Sequence, residues 1–274
     1  MLGIRRWVYE HDSIRHSQAW PSFQEFLDLR SWQDISDQHV RNILYHRAEF
    51  DPIYHASLAP TIKHPWSGME SVKENHSQSW QDWFVLTALD GKTHGYWLEL
   101  GGSDPIYMNN TYLLESKFGW QGISIDKRDN LPDEWHHTRS VPLRLIDALE
   151  ADWDDILRHS PAQIDYLQVD LADWASLEVL ENLPHDSHRF SVITFEHDIF
   201  QSSPEIQKKS RDLLTLLGYH LLISNVAVKN YATDTWEPFE DWWVDPNLVN
   251  IKNLSQIADI SEDRKIPHEI FIQQ

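Results

Sequence analysis

The chain has no cysteine among its 274 residues, so neither a disulfide framework nor a thiolate metal site is open to it. Basic residues are scarce beside acidic ones, 23 Lys and Arg against 43 Asp and Glu, for a formal net charge of −20. A surface of that sign repels nucleic acid and anionic membranes, which argues against both as partners. No apolar run approaches the length of a bilayer span, and residues 1–10 hold Arg5 and Arg6 without the apolar stretch of a secretion signal. A soluble, cytoplasmic protein is the expectation. Tryptophan, by contrast, is plentiful at 14 copies. Most of these rings should serve packing, because each buries a large apolar area and needs one partner for its N–H.

At this length the chain can bury a full core, most simply as one α/β domain with additions. Residues 1–76 lack strand alternation and read as a helical extension or cap. Within it, Ser22 to Leu29 forms one short helix, and Ser36 caps another whose face is Val40, Ile43, Leu44 and Ala48. Residues 77–250 form the core, and 251–274 a tail of one helix and a loose end.

The core opens with a helix carrying Trp80, Phe84, Val85, Ala88 and Leu89, closed by Asp90-Gly91. Tyr96 to Leu100 then reads as a strand ending at Gly101-Gly102, and a helix runs from Asn109-Asn110-Thr111 to Phe118. Gln121 to Ile125 is a second strand, ending in Asp126. This is the pattern of a β-α-β nucleotide-binding unit. Glycines let backbone approach a ligand with free N–H groups, and an acid about two dozen residues on is placed for the two hydroxyls of a ribose. No Walker lysine follows the glycines, and Glu99 before them suits an ammonium group better than a phosphate.

Beyond Asp126 the chain reads as a polar loop through His137, with a short edge strand at Val141 to Leu145 interrupted by Pro142. A helix over Ile146 to Leu157 completes a compressed third unit. Ile164 to Val169 is a strand buried on both faces and ends in Asp170; Phe190 to Phe195 is another and ends in Glu196-His197-Asp198. Between them lies a helix that stops before Pro184. Ser203-Pro204 starts a helix that ends at Gly218, and strands follow at Tyr219 to Val226 and Pro238 to Val244. In an open parallel sheet the ligand sits beyond the carboxyl ends of the strands, so Glu99, Asp126, Asp170 and Glu196-His197-Asp198 converge.

Four blocks, in order, carry a resemblance. They are Glu99-Leu100-Gly101-Gly102; Asn109-Asn110-Thr111 with Leu114-Glu115 and Gly119-Trp120-Gln121-Gly122-Ile123; Ile164 to Asp170; and Glu240-Asp241-Trp242-Trp243. From Ser77 to Val244 the chain resembles the FkbM-type methyltransferases, which use S-adenosylmethionine (SAM). The resemblance implies a class I methyltransferase fold, Rossmann-like α/β, with a seven-stranded, mostly parallel sheet and an antiparallel last strand. It implies SAM bound by Glu99, Gly101, Gly102, Ser103, Asn110, Thr111 and Asp126, and O-methylation of a small acceptor, a saccharide or natural product. The chain departs from the family pattern at Pro105, where many members have glycine, and at Ala172-Asp173, where many have Glu-Gly.

Methyl transfer needs alignment and removal of the acceptor proton. His197 is the expected base, because it follows a buried strand and sits between two acids, Glu196 and Asp198, that can orient it, and Asp170 is the second expected catalytic residue; the alternative is a histidine that only hydrogen-bonds at a strand end. Asp170, Glu196 and Asp198 offer the hard oxygen ligands of a Mg²⁺ ion that would acidify the acceptor hydroxyl, or else structural acceptors for loop N–H groups. Asp241 with Trp242 and Trp243 forms either a substrate wall or ordinary packing. Two other functions share these features: a SAM- or nucleoside-binding protein without catalysis, and a nicotinamide dehydrogenase, which the lack of a third glycine disfavours.

Overall fold

A computed structural model describes residues 63–72, 75–128, 132–230 and 235–271. The two helices expected before residue 50 lie outside the described residues, as does most of the expected extension over 1–76.

Seven strands form one sheet: β1 (Tyr96–Leu100), β2 (Gln121–Asp126), β3 (Leu143–Leu145), β4 (Gln163–Val169), β5 (Arg189–Glu196), β6 (His220–Asn230) and β7 (Thr235–Val244). Their order is β3-β2-β1-β4-β5-β7-β6. The first five pair in parallel, and β7 lies antiparallel between β5 and β6. This is the Rossmann-like sheet of the class I methyltransferase fold, with the expected antiparallel last strand. Strand order reverses between β1 and β4, which is where such sheets open a ligand crevice.

The described helices are α1 (Gln81–Ala88), α2 (Tyr112–Phe118), α3 (Pro132–Thr138), α4 (Trp153–Ile156), α5 (Trp174–Asn182), α6 (Pro204–Leu216) and α7 (Pro267–Phe271). Alternation along the strands gives the sheet two unlike faces. One bears Leu98, Ile123, Leu167, Ile193 and Trp243, and packs against Leu177, Val179 and Leu180 of α5 and Ile206 and Leu214 of α6. The other carries a row of register partners, Ser124, Glu99, Gln168, Thr194 and Trp242, every one buried. On that side Phe84 of α1 stacks on Trp242 with ring centroids 4.5 Å apart.

Three local expectations are corrected. The polar stretch before His137 holds a helix, α3, rather than a loop throughout: Pro132 is compatible with a first helical turn, and Trp135 is wholly buried with its Nε1 donating to Val141 O. The single helix expected over Ile146 to Leu157 is a 3₁₀ turn, Ala148–Glu150, and then α4. Asp147 and Asp152 each cap their own short piece, accepting from Leu149 N and Asp155 N, and Ala151 between them is extended. The tail is no loose end through residue 271. Asp259 and Lys265 bridge to Ile223 and Val226 of β6, and α7 follows.

Candidate cofactor and acceptor site

Gly101 is left-handed, at φ 92°, and a Cβ there would fall 2.0 Å from the Asp170 carbonyl oxygen. Its absent side chain thus lets the ends of β1 and β4 close together at the strand-order reversal. The N–H groups of Gly101 and Gly102 are not free, contrary to expectation: both donate to Ile125 O, at 2.9 and 3.1 Å, which prolongs the β1–β2 ladder into the turn. Ser103 N donates to Asp126 Oδ2 at 3.0 Å, so the turn is pinned to the β2 acid.

Asn109, which is not among the expected ligand residues, builds the start of α2. Its Oδ1 accepts from Thr111 N at 3.0 Å and Tyr112 N at 2.8 Å, while its Nδ2 donates to Gly102 O at 3.0 Å. Helix start and glycine turn are therefore one unit. Asn110 is buried beside it, and its Oδ1 has no hydrogen-bond partner among the described residues. A buried amide oxygen without a donor is costly, so this atom is suited to a ligand N–H or O–H.

Glu99 is wholly buried. Thr111 Oγ1 donates to its Oε1 at 3.0 Å and Ser124 Oγ to its Oε2 at 2.5 Å. Burial pushes its carboxyl up to about 7, against the pull of Arg139 and the two hydroxyls. Arg139, unremarkable in sequence, is the hub here. Its guanidinium pairs with Glu115, donates to Pro105 O at 3.1 Å, Asn109 Oδ1 at 3.0 Å and Thr111 Oγ1 at 2.8 Å, and lies 4.6 Å from the Trp135 ring centroid. Pro105 thus offers its carbonyl to a buried cation.

Asp126 closes the other side of the crevice. Arg128 donates to it from its backbone N, at 2.9 Å, and from Nε and Nη2, at 3.0 and 2.5 Å. These hydrogen bonds and the arginine charge outweigh partial burial and hold the Asp126 carboxyl below its usual range.

At the ends of β4 and β5, the Asp170 and Glu196 carboxyls hydrogen-bond each other. Burial raises both. Asp170 goes to about 6, eased by the Glu196 hydrogen bond, while Glu196 goes well above the carboxylate range, further lifted by the charges of Asp170 and Asp198. The pair therefore resists full ionisation, and its protons belong to the two carboxyls together rather than to either one. The set expected for Mg²⁺, Asp170, Glu196 and Asp198, is not a ligand cluster: among the described residues no group of three His, Asp or Glu is arranged to hold a metal ion.

His197 occupies a different setting from the expected base. The ring is 1% exposed. Its Nδ1 accepts from Ile199 N at 3.2 Å, and its Nε2 lies 3.0 Å from Gln207 Nε2 and 3.6 Å from Asp241 Oδ1. Asp241, Trp242 and Trp243 are likewise buried, so they pack the sheet rather than wall a substrate. Both ring nitrogens of His197 thus meet buried groups, Ile199 N on one side and Gln207 and Asp241 on the other.

No family model matches the chain, and no curated protein matches it. Among solved structures it is similar to an rRNA methylase from Streptococcus thermophilus, at TM-score 0.38 and 10% identity over 60% of this chain and 93% of that one. It is also similar to the Dnmt2 methyltransferase of S. pombe, at TM-score 0.40 and 12% identity over 63% of this chain and 57% of that one. A third is the N-methyltransferase NodS from Bradyrhizobium japonicum WM9, at TM-score 0.40 and 11% identity over 60% and 94%. At these values it is the strand order itself that establishes the fold.

Proposed function

We propose that the chain is a SAM-dependent methyltransferase that methylates a hydroxyl of a small acceptor, a saccharide or natural product. The observation that carries this reading is the strand order with β7 antiparallel between β5 and β6, with the glycine turn at the reversal and the acid at the end of the adjoining β2. The acceptor class rests on the FkbM resemblance, and the net charge of −20 weighs against nucleic acid.

The residues present suit the cofactor, since Asn110 Oδ1 is a buried acceptor in want of a donor and Asp126 stands at the end of β2. Asp126 would take the ribose hydroxyls, and Asn110 a polar hydrogen of the same ligand. The cofactor supplies an electrophilic methyl group on a sulfonium. Asp170 would take up the acceptor's hydroxyl proton, and Glu196, hydrogen-bonded to it, would steady that carboxyl; the methyl group the cofactor would supply leaves its sulfur as a neutral thioether, so charge and atoms balance. Desolvation at the strand ends strengthens both interactions.

Calorimetric titration with SAM, followed by transfer of a labelled methyl group to a panel of sugars, glycolipids and peptides, tests the reading. Micromolar binding and labelling of a hydroxylated acceptor are expected. Absence of SAM binding overturns the reading, and binding without transfer to any acceptor reduces the chain to a SAM-binding protein.

A further inference from the structure

Asp126 is oversubscribed. A carboxylate has about four lone-pair sites. Ser103 N and Arg128 N, both backbone donors of the turns that frame the crevice, hold Asp126 Oδ2 and Oδ1 at 3.0 and 2.9 Å. The Arg128 guanidinium spans what remains, with Nη2 at 2.5 Å from Oδ2 and Nε at 3.0 and 3.2 Å from Oδ1 and Oδ2. Two parallel N–H groups on one carboxylate present the same donor pattern as the vicinal hydroxyls of a ribose. The two cannot be held at once without giving up a backbone bond.

We propose that Arg128 competes with the cofactor's ribose for Asp126, so that this one side chain sets the affinity of the site for SAM. The inference rests on the SAM reading above and goes beyond it by assigning a residue that controls affinity and selects for an intact diol. Of the donors on Asp126, the guanidinium is the one that can leave: the Arg128 side chain is 45% exposed, whereas the backbone N–H groups are fixed in their turns. Its departure leaves it near other negative charges, since Asp170 and Asp104 also act on it. The apparent dissociation constant is then the intrinsic one divided by the fraction of molecules whose Asp126 is released.

Adenosine and 2′,3′-dideoxyadenosine separate this from a structural role, because they differ only in the hydroxyls at issue. Titration of both, and of SAM, into the full chain and into Arg128→Ala and Arg128→Gln gives the test, with circular dichroism to establish folding of each variant. Both variants are expected to bind adenosine and SAM about five-fold more tightly, the scale of a half-exposed ion pair, and to leave dideoxyadenosine unchanged. Arg128→Lys should fall between, since an ammonium pairs with a carboxylate without the two-pronged geometry. Unchanged or weaker binding of adenosine and SAM by the folded variants, with SAM still bound by the parent chain, overturns the competition and leaves the methyltransferase reading standing. Equal tightening of dideoxyadenosine also overturns it, because the diol would then not be the competing group. Failure of the parent chain and both variants to bind SAM or adenosine removes the methyltransferase reading and this inference with it.

Discussion

Arg211 of α6 grips Asp241 of β7 with two parallel hydrogen bonds, Nε to Oδ2 at 2.7 Å and Nη2 to Oδ1 at 3.0 Å. Asp241 Oδ1 also accepts from Asn225 N at 2.9 Å and lies beside His197, so one buried carboxylate joins α6, β6 and the end of β5. The His197 and Arg211 contacts overcome burial and hold its carboxyl down at about 2. Being depressed, it lends stability above the unfolded value near 3.9 and loses it as pH falls through about 2. Asp241→Asn should therefore cost about 2–3 kcal/mol at pH 7, from the size of that shift. Urea denaturation from pH 7 to pH 2.5 should show the gap between parent and variant closing at the acid end.

Glu99 runs the other way. Its folded value, about 7, lies above the unfolded value near 4.3, so the folded chain keeps a proton that the unfolded chain releases. Its contribution to stability is fully present below pH 4.3 and is lost as pH rises toward 7. Glu99→Gln, which fixes the neutral form and keeps an acceptor and a donor for Thr111 and Ser124, should remove that dependence. The difference in unfolding free energy between variant and parent, from urea titrations, should grow in the variant's favour between pH 4.5 and 7, by up to a few kcal/mol. A constant difference would mean that Glu99 is ionised throughout.

For Asp170 the expected readout is activity. The proposed base must be ionised, so kcat/KM should rise with pH and level off above its value of about 6. Asp170→Asn should lower kcat by about 10²-fold or more, the scale of a lost general base, with SAM binding little changed. Glu196→Gln retains a neutral hydrogen-bond donor and should keep most of the activity. Glu196→Ala removes the hydrogen bond that eases Asp170 down, and should shift the acid limb of the profile upward.

Arg139 is buried with its charge balanced by Glu115 and shared among Pro105, Asn109 and Thr111. A lysine keeps the charge but cannot reach these partners from one plane. Arg139→Lys and Arg139→Met should each destabilise the fold, the second by about 3–5 kcal/mol because Glu115 loses its partner. The same variants should weaken SAM binding, since Arg139 fixes the residues that join the glycine turn to α2. Chemical denaturation and calorimetry report the two effects separately.

The periodic, apolar parts of the fold are legible in the amino-acid sequence alone. Tyr96 to Leu100, Gln121 to Ile125, Ile164 to Val169 and Phe190 to Phe195 appear as strands to within a residue or so, because continuous apolar runs between turns have few other uses. Ser203-Pro204 marks the start of α6 for a local reason as well: Ser203 Oγ accepts from Glu205 N. Elements without such a signature are not legible there. α3 has one apolar anchor, Trp135, in a polar segment, and α4 is cut short by an aspartate cap that looks, in sequence, like a helix interior.

The β-α-β unit at residues 95–126, the strand-end acids and their shared edge can be read from the residues in order, since these follow from local patterning and from the way parallel sheets are connected. What each polar side chain faces came from the packing of distant segments. That packing turned Gly101 into the point where β1 and β4 close together, drew His197 into the interior with Asp241, brought the Asp170 and Glu196 carboxyls together, and laid Arg128 across Asp126. The physical reason is range. Backbone conformation is fixed by neighbours along the chain, whereas protonation and partnership depend on burial and on charges brought from strands dozens of residues apart.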